Sequence, residues 1–279
     1  MIEMTKKPAA PDPSIRTPRV VHQQARISRI EQLSHDTVEL VLKTIADKQP
    51  MHAKAGQFCT IHVPEIKLTR AYSLARAPDA ERANEYTFII RLIPDGALSQ
   101  WLLASERIGH EVQLAGPLGS FVLDNSNLPI ICIAGGSGMS ATHAIIEQAQ
   151  ISRLARDCYF FYGARTSADL YLTDEILKLQ NSWHPEFDFR FVPTLSEEPS
   201  SSNWKGRRGL VGEIAISTLE NDGGINLREA KYYLCGPPGM INATVASLDA
   251  LGVAPANYKF DKFEDANGPA PKIDNTRCV

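Results

Sequence analysis

Three short stretches of this chain carry groups that can hold anions, two of them in glycine turns. In the first, the apolar run Ile130 to Ala134 breaks into Gly135, Gly136, Ser137 and Gly138, and a helix is expected from about Ser140. Glycine lets backbone approach a ligand closely, and a helix start offers unpaired N–H groups at the positive end of its dipole. Gly136-Ser-Gly138-Met-Ser-Ala141 fits G-x-G-x-x-G/A, which seats a dinucleotide when it links a strand to a helix. A tight turn without a ligand is the structural alternative. The second stretch, Arg70-Ala71-Tyr72-Ser73, offers a guanidinium for phosphate, a flat ring for stacking and a hydroxyl. On a strand, Arg70 and Tyr72 share one face and Ser73 takes the other. Its alternative is a half-exposed strand carrying a surface arginine. The third runs from Arg91 into Gly96, with Ala97, Leu98 and Ser99 opening a helix whose free N–H groups suit a pyrophosphate. An ordinary helix cap would look the same.

The elements needed to position these groups fall into two rhythms. From Val20 to about Leu123, short strand-like runs are expected at Gln24–Gln32, Thr37–Thr44, Gln57–Val63, Ala71–Ala75, Tyr86–Ile93 and Glu111–Leu114. One helix, from Ala97 to about Ser105, interrupts them. Strands at this spacing, separated by turn formers such as Pro94-Asp-Gly96, imply an antiparallel β-barrel. After Asn127 the pattern alternates. Strands are expected at Ile130–Ala134, Cys158–Gly163, Phe187–Val192 and Tyr232–Cys235, with helices at Ser140–Leu154, Ser167–Leu179, Gly212–Leu219 and Gly239–Leu251. That is the signature of a parallel sheet covered on both faces. A last strand fits Ala256–Phe260, and the polar stretch Leu195–Lys205 is expected to be a long loop. The fold class is therefore β plus α/β, a barrel domain (21–125) before a Rossmann-like domain (126–263), with ligands expected in the cleft between them. Residues 1–20, polar and rich in proline, are expected to be a disordered leader, and 264–279 a flexible tail.

Composition narrows the function. The 279 residues are 43% hydrophobic and 22% charged, with a net charge of -3, which gives no reason to expect nucleic-acid binding. No apolar run approaches the roughly 20 residues a membrane helix needs. Five widely spaced cysteines, Cys59, Cys132, Cys158, Cys235 and Cys278, form no C-x-x-C pair, so neither a zinc site nor a disulfide framework is expected. No metal ligand set is assigned, and the cytoplasm is the expected compartment.

Arg-x-Tyr-Ser at 70–73 with Gly-x-x-Ser at 96–99 resembles the paired flavin motifs of the ferredoxin–NADP reductase superfamily. Gly116-Pro-Leu-Gly119-Ser-Phe121 is similar to the turn that ends that family's flavin barrel. Gly135 to Ser140 resembles its nicotinamide phosphate loop, although the family often has proline where Ser140 stands. Tyr162-Gly-Ala-Arg165, Asp169-Leu-Tyr171 and Cys235-Gly-Pro-Pro-Gly-Met240 continue the resemblance in the family's order, over roughly residues 22 to 263. The nearest likeness is to the reductase components of bacterial multicomponent oxygenases. Many of those carry a fused plant-type [2Fe–2S] domain, and the C-x4-C-x2-C run of such a domain does not occur in this sequence.

The resemblance implies bound FAD and a nicotinamide dinucleotide. Arg70 would bind the flavin pyrophosphate, Tyr72 would stack on the isoalloxazine, Ser73 would hydrogen-bond near flavin N5, and Ala71 lies between them. Gly96, Ala97, Leu98 and Ser99 would cradle phosphate. Gly135, Gly136, Ser137, Gly138 and Met139 would meet the nicotinamide nucleotide, with Cys235, Gly236 and Pro237 around the nicotinamide. Ser73 and Cys235 are the residues implied closest to hydride transfer. Phe263 would either cover the flavin face or belong to the core. Arg165, with no carboxylate before Asp169, suits the 2′-phosphate of NADPH by its chemistry. The surrounding Tyr-Gly-x-Arg and Asp-Leu-Tyr look like the NADH-using oxygenase reductases, so NADH is the expected donor and NADPH the alternative.

The expected activity is NAD(P)H oxidation, with single electrons passed to a separate ferredoxin or oxygenase component. One alternative is an NAD(P)H:flavin reductase that releases reduced flavin. Another is a regulatory subunit that binds both cofactors without turnover.

Overall fold

The computed structural model describes residues 20–45, 51–79, 82–104, 106–222 and 224–263. The expected leader (apart from residue 20) and the expected tail lie outside them. Strands β1 (Val21–Ser34), β2 (Thr37–Thr44), β3 (Phe58–Val63), β4 (Leu68–Ser73), β5 (Glu85–Arg91) and β6 (Glu111–Leu118) form one antiparallel sheet in the order β4-β3-β6-β1-β2-β5. The sheet curls until its two edges meet at a single bridge, Leu74 with Phe88, supported by Ala75 N–H donating to Thr87 O at 2.8 Å. It is a barrel that stays open along the rest of the β4–β5 seam. Alternate residues point inward, among them Ala25, Ile27, Leu40, Leu42, Cys59, Ile61, Phe88, Ile90 and Leu114. Helix α1 (Ala97–Ala104) closes one end by burying Leu98, Trp101 and Leu102 in the same core.

The second sheet is parallel, in the order β10-β9-β8-β7-β11-β12. Its strands are β7 (Ile130–Gly135), β8 (Cys158–Ala164), β9 (Phe189–Leu195), β10 (Arg207–Arg208), β11 (Lys231–Gly236) and β12 (Tyr258–Lys262). β7 and β8 read as unbroken apolar runs because both faces are covered. One face, with Cys132, Ala134, Phe160 and Tyr162, packs against α2 (Met139–Ile151) and α3 (Thr173–Asn181). The other, with Ile131, Ile133, Tyr159 and Phe161, packs against α4 (Val211–Asp222) and α5 (Pro238–Ala250). Barrel residues Ala55, Ala75, Ile89 and Phe121 join the first of these clusters, so the barrel docks on the α2 side of the sheet. The strand order reverses direction about β7. The carboxyl ends of β7 and β11 therefore flank the switch point where open α/β sheets bind ligands.

Element bounds shift by a few residues in several places, and three of the differences are informative. β4 starts at Leu68 rather than Ala71, because pairing with β3 extends from Phe58–Ser73 to Val63–Leu68. The single helix expected over Ser167–Leu179 is a short turn (Ser167–Asp169), then Leu172 in the left-handed region (φ 57°), then α3. The loop expected over Leu195–Lys205 begins one residue later, since Leu195 ends β9, and it leads into the two-residue strand β10.

Candidate functional site

The glycine turn leaves β7 through a short 3-10 turn, Gly136–Gly138, which runs directly into α2. No side chain caps it, so the N–H groups of its opening residues have no side-chain partner. The Tyr171 hydroxyl donates to Gly136 O at 2.9 Å and fixes that carbonyl. Gly136 has φ +53°, and a Cβ there would meet nothing within 4 Å, so its outer side is open. Gly138 faces the opposite way, its Cβ position lying 2.0 Å from Cys235 O. A Cβ at Gly236 (φ +149°) would lie 3.0 Å from both the nitrogen and the oxygen of Gly135, and one at Gly135 would press on Met240 and Pro237. α5 begins just beyond, after Pro237, also without a side-chain cap. Two helix starts thus converge on one gap. That donor set fits a dinucleotide diphosphate.

Ser73 ends β4 against this gap. It is buried, and its hydroxyl donates to Asp261 Oδ2 at 3.1 Å. Asp261 comes from β12, opposite Cys235 in the β11–β12 register. Burial pushes the Asp261 carboxyl above the usual carboxylate range, and the Ser73 hydroxyl offsets part of the rise. The Cys235 thiol is completely buried, and burial with the neighbouring Asp261 charge holds it protonated. Cys235 therefore brings a neutral thiol and a packing surface to this place, not a thiolate. Phe263 is half-buried on the α2-side core and donates its backbone N–H to Gly236 O at 3.2 Å.

The open barrel seam supplies a second donor set. Continued past the Leu74–Phe88 bridge, the antiparallel register sets Tyr72 opposite Ile90 and Arg70 opposite Leu92, with Gly96 to Ser99 beyond. Cross-strand partners Cys59–Tyr72 and Ile61–Arg70 put both side chains on the inner side of β4. One guanidinium N–H of Arg70 goes to Thr69 O at 2.9 Å. An edge strand with a half-buried ring and a cation, and a helix start beyond it in register, form a donor set that suits a planar molecule with a diphosphate. Three side chains of these loops turn inward. The Ser99 hydroxyl is buried and accepts from Ile93 N–H at 2.8 Å, so it braces the turn instead of facing outward. Leu98 and Met139 are buried in the barrel and α2-side cores, so each could offer a ligand only backbone.

Arg165 extends past β8 with half its side chain exposed. It pairs with Asp36 at 3.6 Å, from the β1–β2 turn of the barrel, and with Asp169 at 3.8 Å. Asp169 also accepts from Thr166 N–H and Thr166 Oγ1, both at 2.9 Å, which fixes the turn. His35, Asp36 and Asp169 form a cluster with metal-ligand atom types, but Arg91, at 2.9 Å from Asp36, and Arg165 already balance its carboxylates.

Sequence reasoning did not single out Asp261 or His143. A lone aspartate inside the aromatic run Tyr258–Phe263 was the one available signal for Asp261. Its pairing with Ser73 spans 188 residues. In the sequence Ser140 stands out only as a departure from proline; in the structure its hydroxyl donates to Ser73 O at 2.7 Å.

Residues 24–123 match the family model described as the oxidoreductase FAD-binding domain, and residues 132–246 match the oxidoreductase NAD-binding domain. The xylene/toluene monooxygenase electron transfer component XylA of Pseudomonas putida is 35% identical over 87% of this chain and 66% of its own length. The reductase component of propane 2-monooxygenase from Mycolicibacterium smegmatis is 34% identical over 86% of this chain and 67% of its own. The chain thus spans about two thirds of the length of these relatives. Among solved structures, the Amycolatopsis cytochrome P450 reductase GcoB superposes with a TM-score of 0.78 at 27% identity, covering 90% of this chain and 72% of that one. Among the described residues, no helix is long and apolar enough to cross a membrane.

Proposed function

The chain belongs to the FAD- and NAD-binding oxidoreductases of the ferredoxin–NADP reductase superfamily, and from that premise we propose that it oxidises NADH and delivers single electrons to a separate ferredoxin or oxygenase component. One observation carries the reading. Ser73, at the end of the flavin-side strand, the glycine loop at 135–138 and the start of α5 meet at one switch point.

A flavin, when bound, supplies the conversion between two-electron and one-electron chemistry; the chain supplies binding, orientation and electrostatics. Arg70, Tyr72 and the backbone of Gly96 to Ser99 would hold it, with Ala71 between them. Gly136, Ser137 and Gly138 would bind the nucleotide diphosphate through backbone N–H groups, with Gly236 and Pro237 shaping the nicotinamide end. Ser73 and Asp261 share one hydrogen bond. With Asp261 ionised, Ser73 donates to it; with Asp261 protonated, the direction can reverse and Ser73 can donate elsewhere. Packing of Cys235, Phe263 and Met240 around the gap excludes water.

NADH is favoured over NADPH because the charge of Arg165 is offset by Asp36 and Asp169, and a 2′-phosphate there would meet two carboxylates. The test is direct. The purified protein is expected to be yellow with near-stoichiometric FAD, to reduce ferricyanide with NADH, and to show a kcat/KM for NADH at least about tenfold above that for NADPH (roughly 1.4 kcal/mol). A colourless protein that reduces added free flavin would replace this reading with a flavin reductase. Binding of both cofactors without turnover would replace it with a regulatory subunit. Co-purification with a ferredoxin or hydroxylase identifies the acceptor. The four described cysteines are free and buried, in keeping with a reducing cytoplasm as the place of action.

A further inference from the structure

Helix α2 carries Ser140, His143 and Glu147 on one face, spaced i, i+3, i+7. The chain leaving β4 carries Ser73, Ala75 and Ala77 at alternate positions. These two series bond one to one. Ser140 Oγ donates to Ser73 O at 2.7 Å, His143 Nδ1 donates to Ala75 O at 3.0 Å, and Ala77 N–H donates to Glu147 Oε2 at 2.6 Å. Seven residues of helix rise about 10.5 Å and four residues of strand about 13 Å; the longer reach of glutamate absorbs the difference. Ser140 and His143 are almost wholly buried. The other side of the same segment belongs to the barrel, where Leu74 N–H donates to Gln57 O at 2.9 Å and Ala75 N–H to Thr87 O. Arg76, in the middle, is tied to both domains, pairing with Glu39 of β2 at 2.9 Å and with Glu175 of α3.

We propose that this ladder sets the separation between the flavin and nicotinamide faces, with Ser140 as its key positioning residue. Ser140 lies two residues past Gly138, in the first turn of α2, and its hydroxyl holds the carbonyl of Ser73. The nucleotide loop and the flavin strand are thereby joined through one short bond, made to the backbone of the residue that carries the Ser73 side chain itself. The register of the ladder fixes how far α2 can slide along β4. A proline at position 140 would keep the helix start, where its missing N–H costs little, but would remove the link.

This inference rests on the proposed function for its kinetic part only. The variants are Ser140→Ala, which deletes the donor, and Ser140→Thr, which keeps it. In flavin-free protein, amide hydrogen exchange over residues 74–79 is expected to speed up about fivefold in Ser140→Ala and to return towards the native rate in Ser140→Thr. In single-turnover reduction of the flavin-loaded protein, Ser140→Ala is expected to slow hydride transfer about tenfold with NADH Kd unchanged within about twofold. The deuterium isotope effect from 4-deuterated NADH should become more temperature-dependent, as the donor–acceptor distance samples a wider range, and Ser140→Thr should recover both. Native exchange with a native rate in Ser140→Ala overturns the ladder. A loss of rate matched by an equal loss of NADH affinity overturns its positioning role. If neither nucleotide reduces the native flavoprotein, the proposed function fails, and the exchange measurement alone still decides the ladder.

Discussion

Replacing Gly138 with alanine tests how the two loops lining the cleft are held together. Its Cβ would lie 2.0 Å from Cys235 O, 2.5 Å from the Cys235 carbonyl carbon and 3.0 Å from Gly236 N. All three are backbone atoms of β11, which is bonded to β7 on one side and β12 on the other, so no side chain can swing aside. Real Cβ contacts stay at 3.0 Å or beyond, so the start of α2 and the end of β11 must part by about 1 Å. Overpacking of this kind costs about 1–3 kcal/mol, and each kcal/mol lowers Tm by roughly 2–4 °C in a protein of this size. The kinetic effect is larger, since about 1 Å of misplacement costs on the order of 100-fold in a reaction that depends on held geometry. Gly136→Ala and Gly239→Ala are the controls, because both place Cβ in open space. Alanine at Gly239 is neutral or slightly stabilising in α5, whereas at Gly136 the left-handed backbone costs about 1–2 kcal/mol. Calorimetry of the flavin-free protein and anaerobic stopped-flow reduction by NADH separate the cases. Gly138→Ala should lose both Tm and rate, Gly239→Ala should keep its Tm, and Gly136→Ala should weaken NADH binding beyond its modest Tm loss. A Gly138→Ala protein with native Tm and native rate would refute the close approach on which this reasoning rests.

Asp261→Asn alters the pH profile with a definite sign. Burial raises the native carboxyl above its unfolded value, so the native state holds its proton to higher pH and stability falls as pH rises through that interval; the variant should lose this slope in Tm measured from about pH 4 to 7. Ser73→Ala should slow flavin reduction about tenfold or more while flavin Kd moves less than threefold, read by stopped-flow and by flavin titration; an unchanged rate removes Ser73 from the chemistry. Arg76→Leu leaves the buried Glu39 with Arg29 as its remaining salt-bridge partner and should cost about 1.5–3 kcal/mol in urea unfolding, the worth of a hydrogen bond to a charged group. Lys43→Ala breaks only the exposed pair with Glu85 and should leave the urea midpoint unchanged.

How much of this was legible depended on whether a residue's role is local. β2 appears at Thr37–Thr44 as its alternation predicts, and β7, β8 and β11 appear as apolar runs because a doubly covered strand tolerates little else. Both glycine loops announce themselves because backbone conformation and close approach restrict residue type within a few positions. β4 begins three residues before the pattern places it, because Leu68-Thr-Arg70 mixes apolar and polar groups and pairing with β3 outweighs that pattern. Ser99 has the right type for a phosphate ligand, yet its hydroxyl turns inward to Ile93, a choice that depends on the turn and not on spacing. Asp261 was hidden because its partner lies in the other domain. Nothing within several residues of either Ser73 or Asp261 encodes the other.

That last point bears on where the chemistry resides. Asp261 is carried by β12 of the nucleotide domain, and it is bonded by a serine that the barrel brings to it. The same closure buries Ser140 and His143 against Ser73 and Ala75. His143 is held neutral, because burial and the facing Arg76 both disfavour a second proton. The Ala75 carbonyl can only accept and the Arg76 guanidinium can only donate, so Nδ1 must carry the proton while Nε2, 3.4 Å from Arg76, accepts. A histidine in water would sample both tautomers and the cation. The proton inventory at the end of β4 is thus a product of two domains touching. Any substitution that loosens their contact should change the proton affinity of Asp261 without touching Asp261 itself.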